Sequence, residues 1–451
     1  MLNINTYRFE LDQRHVAVWR ADFSKWRPIP VALTPTRISS SQWQSVVSDA
    51  RLVFSTFPKI LKWLQLPDQS QLKAGIFSGL SGLEQFACDM DPMYGWGHVT
   101  TRFDLYWHGE EIKIIEVNCT IPAMQAYSDN VLNAWQIASG VVESSSSNVT
   151  ELLQSLFQMY RIDGGMSGNP RIIILHRPGD SQMGELLWLK DHWNQLGVHT
   201  VLATPESVSR IGELWVVDGK PYDMIYRHIF AWRLPEGSVK DALLENRSFH
   251  IYNPISAHYE SKAFLALASH LAASAALVTE VGITPEELSA MTRRVPWSRI
   301  LGDGRFAIPF SDIKDRLPNL VLKRSVGYGG HQVFMGNEWD SPETQSRLSQ
   351  LTGEPLPVTF EKFSTWAVTR DNSLWIAQER MSGIRRKTSV LCGDHIEEWD
   401  AWFDASVFIN SRSEPICGGG VSRIAQSPIV NIGAGGGLAP FMLEADIREQ
   451  P

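Results

Sequence analysis

Cysteine is scarce in this chain. Cys88, Cys119, Cys392 and Cys417 are the four cysteines among 451 residues, and no two of them form a CxxC pair. That spacing excludes an ordinary zinc ribbon and offers no disulfide framework, so a reduced setting is the default expectation. A basic excess is also missing. Lys and Arg number 41 against 49 Asp and Glu, a net charge of −8, which argues against a broad surface for nucleic acid. No run approaches the roughly 18 apolar residues of a membrane span. The first residues, MLNINTYRFELDQRHVAVW, lack the basic start and continuous apolar stretch of a signal peptide. The expectation is a cytoplasmic protein that engages neither nucleic acid nor membrane. Without secretion, the glycosylation-like triplets at Asn118 and Asn148 carry no meaning. Nucleophile and zinc signatures are absent as well: there is no GxSxG elbow, no HExxH and no Walker A loop.

What is present is an ordinary globular composition, 43% hydrophobic and 20% charged, with enough chain for two or three lobes. Seventeen tryptophans are scattered without a period and read as core and pocket lining. Residues 42–66 have a helical pattern, and 102–107 and 112–118 are strand-like. Residues 171–175 (RIIIL), 183–196 and 198–203 (VHTVLA) read as strand, helix and strand, with a later strand at 224–226. Short apolar strands alternating with helices imply a parallel sheet covered on both faces. Residues 262–276 are helical, and beyond them the sequence is strand-rich with glycine loops. The fold class is therefore α/β with several lobes, divided at 1–165, 166–255 and 256–451.

The strongest local signal is acidic. Arg102 and Asp104 lie in one alternating segment and Glu116 and Asn118 in the next, with His108, Gly109, Glu110 and Glu111 between them as a hairpin turn. If the turn centres on Glu110, Asp104 faces Glu116 and Arg102 faces Asn118. Period-two alternation places these four on one face and Phe103, Leu105, Ile115 and Val117 on the other. Directly opposed side chains have Cβ atoms about 4.5–5.5 Å apart, and like charges there destabilise a sheet. Two carboxylates and an amide oxygen suit a hard divalent cation such as Mg²⁺. A solvated hairpin face with Arg102 bridging both acids explains the pattern equally well.

Two stretches are rich in glycine. In the first, Lys323 ends a strand and Gly327, Gly329 and Gly330 make a loop back to a second strand. Such a loop lets backbone N–H groups approach phosphate oxygens, with the lysine as a point charge, although a plain flexible hairpin has the same pattern. The second covers 418–437, with Arg423, Asn431 and three closing glycines. A strand at 375–379 runs into Gln378 and Glu379, the kind of strand end that pairs with an adenine edge.

Taken in this order, the pieces resemble the circularly permuted ATP-grasp enzymes, the group that includes glutathionylspermidine synthetase. The metal-site acids precede the nucleotide-binding lysines, and the R-x-D-x11-E-x-N spacing of residues 102–118 is similar to that group's own. The resemblance implies a permuted ATP-grasp fold with a βαβ domain of the kind that precedes it, using ATP and Mg²⁺. It casts Asp104, Glu116 and Asn118 as metal ligands and Arg102 as a substrate-contacting group. Lys262, after Asn253 and Ser261, and Lys323 with Gly327–Gly330 would meet phosphates, and Gln378 and Glu379 the adenine side. Tyr226 and Arg227 resemble a YRR element, and 418–423 and 431–437 the closing glycine blocks. Two departures stand out: the last block ends Leu438, Ala439, Pro440 without the Lys-Asp of many relatives, and nothing resembles the amidase domain of the bifunctional enzymes.

The implied reaction joins a small-molecule carboxylate, such as an amino acid or peptide, to an amine through an acyl phosphate, releasing ADP and phosphate. Arg102 and Lys323 are its catalytic residues, Arg102 by steadying the tetrahedral oxyanion. Residues 325–330 and the basic run 382–387 (SGIRRK) are candidate lids, and the latter could instead grip an anion or be a solvated loop. A phosphotransferase on the same scaffold and a non-catalytic nucleotide-binding protein are the competing readings.

Overall fold

The computed structural model describes residues 2–94, 99–141, 147–245, 249–327, 329–330, 332–371, 373–409 and 419–444. Cys417 and Gly418, the first residue of the second glycine stretch, lie outside them.

Three sheets position the functional groups. The largest has seven strands in the order Ile384–Cys392, Val31–Ala32, Gly437–Ala439, Gly420–Ala425, His395–Ile409, Thr101–His108 and Glu111–Asn118. The first strand also pairs with the start of the 15-residue strand His395–Ile409, so five of these strands close on themselves. This sheet draws on residues 31–32, 101–118 and 384–439, so the expected lobes 1–165 and 256–451 share it. A long helix, Ser40–Leu64, lies against it, capped by the Ser39 hydroxyl. Its buried face repeats at helical spacing through Trp43, Val46, Val47, Ala50, Val53, Phe54 and Phe57. Phe54 meets Phe103 of the hairpin edge-on at 6.0 Å. Phe103, Leu105, Ile112, Ile114 and Val117 join that core, which turns the hairpin's other face toward a cavity.

The second sheet is parallel, with strands ordered Ile251–Tyr252, Met224–His228, Ile172–His176 and Thr200–Ala203. Alternate residues enter two cores: Ile173, Leu175 and Ile225 pack on one face, Ile172, Ile174 and Tyr226 on the other. The continuous apolar runs of these strands therefore have the physical reason expected of them.

The third sheet has five strands, Ala307–Ile308, Ser298–Leu301, Trp375–Glu379, Leu320–Arg324 and Val333–Met335. The helical stretch expected over 262–276 is two helices, Lys262–Leu271 and Ala275–Val281, bent by 116°. The C-terminal half is also less strand-rich than its pattern suggests. Helices Pro285–Arg294, Pro342–Thr352 and Phe360–Thr369 stand there, each opened by a Thr or Ser cap at Thr284, Ser341 or Thr359. No single helix among the described residues is long and apolar enough to cross a membrane.

Candidate functional site

The hairpin is built as the alternation requires, with one deviation that matters. Its turn is Gly109 and Glu110, and near it Leu105 faces Ile114 and His108 faces Glu111. A bulge between Asp104 and Leu105 then takes up Ile115, so Asp104 pairs with Glu116 and Arg102 with Asn118. The bulge puts Ile114, not Ile115, on the core face; Ile115 lines a cavity beside Glu116 and Asn118. An extra residue on one strand re-aims the side chains beyond it.

On the charged face Arg102 and Asp104 are buried, Glu116 and Asn118 are half-buried, and the charges are paired internally. Arg102 donates to both oxygens of Asp104, from Nε at 2.7 Å and from Nη2 at 3.2 Å, and from Nη1 to the carbonyl of Ala123 at 3.0 Å. It does not bridge to Glu116. Arg423, two strands away on Gly420–Ala425, reaches Asp104 at 3.0 Å and, on the intervening strand, Asp404 at 2.5 Å. Ser406 donates its hydroxyl to Asp104 at 3.1 Å. Burial opposes ionisation of Asp104, but Arg102 and Arg423 outweigh it and hold the carboxyl well below the usual range. Burial pushes Asp404 up to about 6 despite Arg423.

Glu116 is held by a different cation. Lys262, at the start of its helix, places Nζ 2.9 Å from Glu116 and donates to the carbonyl of Gly327 at 2.8 Å. Burial works against the Glu116 charge, yet Lys262 and Lys323 hold its carboxyl below the ordinary value. Lys323 donates to the carbonyl of the bulge residue, Ile115, at 3.1 Å and to Gln378 Oε1 at 2.7 Å. Burial lowers its ammonium to about 8 despite the attraction of Glu116. Gln378 in turn donates to Ser298 at 3.2 Å. Here the side chain of Gln378 orients the lysine.

These groups line one cavity of about 560 Å³, within the range of small-molecule sites. Arg102, Asp104, Glu116, Asn118, Lys323, Gly329, Gly330, Gln378 and Glu379 all contribute to its wall. Lys262 and Gly327 do not line it; they brace it from behind through Glu116 and each other. Gly329 and Gly330 both have left-handed backbone, φ +72° and +74°. A Cβ on Gly330 would lie 2.8 Å from Ile429. The segment 428–433 crosses the same cavity, and Asn431 donates to the carbonyl of Gly329 at 2.5 Å.

Sequence reasoning missed Asp404 and gave Arg423 no role of its own. Their signal is faint, because Asp404 is one acid on a long strand and its pairing with Arg423 spans an interval no local pattern marks. The basic run 382–387 does not line the cavity. Residues from Ile384 onward are a strand of the large sheet, Arg385 pairs with Asp400 at 2.7 Å, and Arg386 lies over the Phe403 ring. Buried Arg227 serves structure: it donates to the carbonyls of Asn253 and Pro254 at 2.9 and 2.7 Å, fixing the segment that leads to Lys262.

Among the described residues, no group of three or more His, Cys, Asp and Glu is placed to hold a metal ion. The crowding of Asp104 and Glu116 is met by Arg102, Arg423 and Lys262, so it does not by itself demand a metal. The donor chemistry nonetheless fits a hard cation. Glu116 and Asn118 offer oxygens into the cavity, and the buried Nδ2 of Asn118 has no partner, which leaves its amide free to turn. Asp104 can join only by giving up part of its arginine contacts.

No protein-family model matches the sequence, and no curated protein matches it. Among solved structures, the chain is similar to a glutathione synthetase-like effector from Globodera pallida in its apo form. The TM-score is 0.61 at 12% identity, over 97% of this chain and 95% of that one. A protein from Methylobacillus flagellatus KT with the provisional name gamma-glutamylcysteine synthetase aligns over 87% of this chain and 85% of its own, with a TM-score of 0.38 at 10% identity. The first likeness, spanning nearly the whole of both chains, shows a shared synthetase-like fold.

Proposed function

We propose that this chain is an ATP-dependent carboxylate–amine ligase of the permuted ATP-grasp type. The observation that carries the reading is the meeting of two sets of groups in one cavity. Lys323 and Gln378 come from the five-stranded sheet, and Arg102, Asp104, Glu116 and Asn118 from the hairpin of the seven-stranded sheet. The fold shared with a glutathione synthetase-like effector supports it.

In this reading the triphosphate lies between the two sheets. Lys323 and the Gly329–Gly330 turn face its phosphates, while Val321, Met335 and Met381 offer an apolar slot for a base near Glu379. Glu116 and Asn118, with Asp104, would hold magnesium, which when bound supplies charge neutralisation to the phosphates. Arg102 stands beside these acids and orients the substrate carboxylate, whose acyl phosphate then meets the amine. The protein's part is positioning and fixed electrostatics in a site that excludes water. Segment 428–433, tied to the glycine turn through Asn431, closes the cavity on one side.

Calorimetry of MgATP binding to wild type and to Lys323→Gln, followed by ADP release across a panel of carboxylic acids and amines, tests the proposal. Wild type should bind MgATP and the variant should bind it at least about tenfold more weakly, the loss of one charge-assisted contact. Nucleotide binding that is absent in wild type, or identical in both, removes the ligase reading.

A further inference from the structure

The cavity wall formed by the N-terminal hairpin carries a cation that the chemistry above leaves unused. Strands Ala17–Arg20 and Lys25–Pro28 pair antiparallel with Val18 opposite Arg27, and both residues line the cavity. The Trp19 N–H donates to the carbonyl of Ser181 at 2.8 Å. That bond fixes the hairpin beside Ser181 and Gln182, which stand in the same wall.

The two arginines of this wall are not equivalent. Arg20 is held by both oxygens of Asp22, at 3.0 and 2.7 Å. Arg27 has no carboxylate partner among the described residues. Its Nη2 donates to the carbonyl of Ile432 at 3.0 Å, and its Nε is buried without a partner. A buried donor left unmade is unfavourable, and the guanidinium, which lines the cavity, would gain by turning toward an oxygen there.

We propose that Arg27 reads a second carboxylate of the acid substrate, remote from the one that is activated, so that the substrate is a dicarboxylic acid. The proposal rests on the ligase reading and adds the substrate class. Charge decides between carboxylate and phosphate. With Arg20 neutralised by Asp22, the wall offers one net positive charge and the neutral groups of Ser181 and Gln182. That suits a singly charged carboxylate, whereas a phosphate monoester carries about −1.5 to −2 at neutral pH. The guanidinium fork also matches the planar carboxylate in geometry. Val18, Met124 and Phe230 line the cavity as well, an apolar surface for the methylene body of such an acid.

Succinate, glutarate and adipate, each compared with its monoamide, differ from their partners by that one charge. Each pair is titrated by calorimetry into wild type, Arg27→Gln and Arg27→Lys without nucleotide, and MgADP is titrated separately. Wild type should prefer at least one diacid over its monoamide by roughly tenfold or more. Arg27→Gln should bind both members alike while binding MgADP as wild type does. Should Arg27→Gln fail to fold, Arg27→Lys carries the comparison and should lose part of the preference. A wild type indifferent to every pair, or either variant keeping the full preference, overturns the proposal. Absence of MgADP binding to wild type counts against the ligase reading alone, since the diacid preference is measured without nucleotide.

Discussion

Arg423 stands 3.0 Å from Asp104 and 2.5 Å from Asp404, one guanidinium serving two buried carboxylates. Removing one partner of a buried charge network leaves the others uncompensated and costs about 3–5 kcal/mol. Arg423→Leu should therefore lose stability on that scale in urea unfolding. Arg423→Lys should fall between, since a point charge cannot span both acids as a fork does. A loss below about 1 kcal/mol for the leucine variant would mean that solvent reaches the network.

Lys323 gives a pH signature. Its folded value of about 8 lies below the ordinary lysine value, so between these two values the folded chain binds fewer protons than the unfolded one. The stability contributed by this group is therefore lowest below about 8 and recovers as pH rises toward the unfolded value. Phosphate binding runs the other way, because an anion needs the charged ammonium. Affinity for a polyphosphate should decline as pH climbs through about 8. In Lys323→Gln that decline should be gone, and calorimetry at about one pH unit to either side of that value separates the outcomes.

Glu116→Gln tests the metal proposal. The substitution keeps size and removes the charge that faces Lys262 at 2.9 Å. We expect ATP affinity to lose its dependence on magnesium while metal-free ATP binds at least as well as to wild type, because a carboxylate lining the cavity no longer repels the phosphates. Retention of the full magnesium enhancement would move the metal elsewhere.

Asn431→Ala should leave the melting temperature nearly unchanged and raise hydrogen exchange across 428–433, whose tie to the glycine turn it removes. Unchanged exchange would mean that Ile429 against Gly330 already holds the segment.

Much of the hairpin was legible because its polar and apolar residues alternate from Arg102 to Leu105 and again from Glu116 to Asn118, and a half-buried strand must alternate. The bulge was not. Ile114 and Ile115 are identical in chemistry, so nothing in the letters says which one faces the core. The helices at 285, 342 and 360 had their signals in plain view: Thr284 and Ser341 each precede Pro and Glu, and Thr359 caps the third. Short apolar stretches beside glycine loops pointed to strands instead. The site pairings that the sequence hides, Asp404 with Arg423 and Lys323 with Ile115, are contacts between distant segments. Only the fold can bring them within reach.

The bulged peptide also has a mechanical meaning. Lys323 and Gln378 of the five-stranded sheet both donate to one acceptor on the hairpin, the carbonyl of Ile115, at 3.1 and 3.5 Å. The bulge therefore does more than re-aim side chains: it makes one backbone carbonyl a shared acceptor, so a change that straightened the strand would loosen the lysine and the glutamine together.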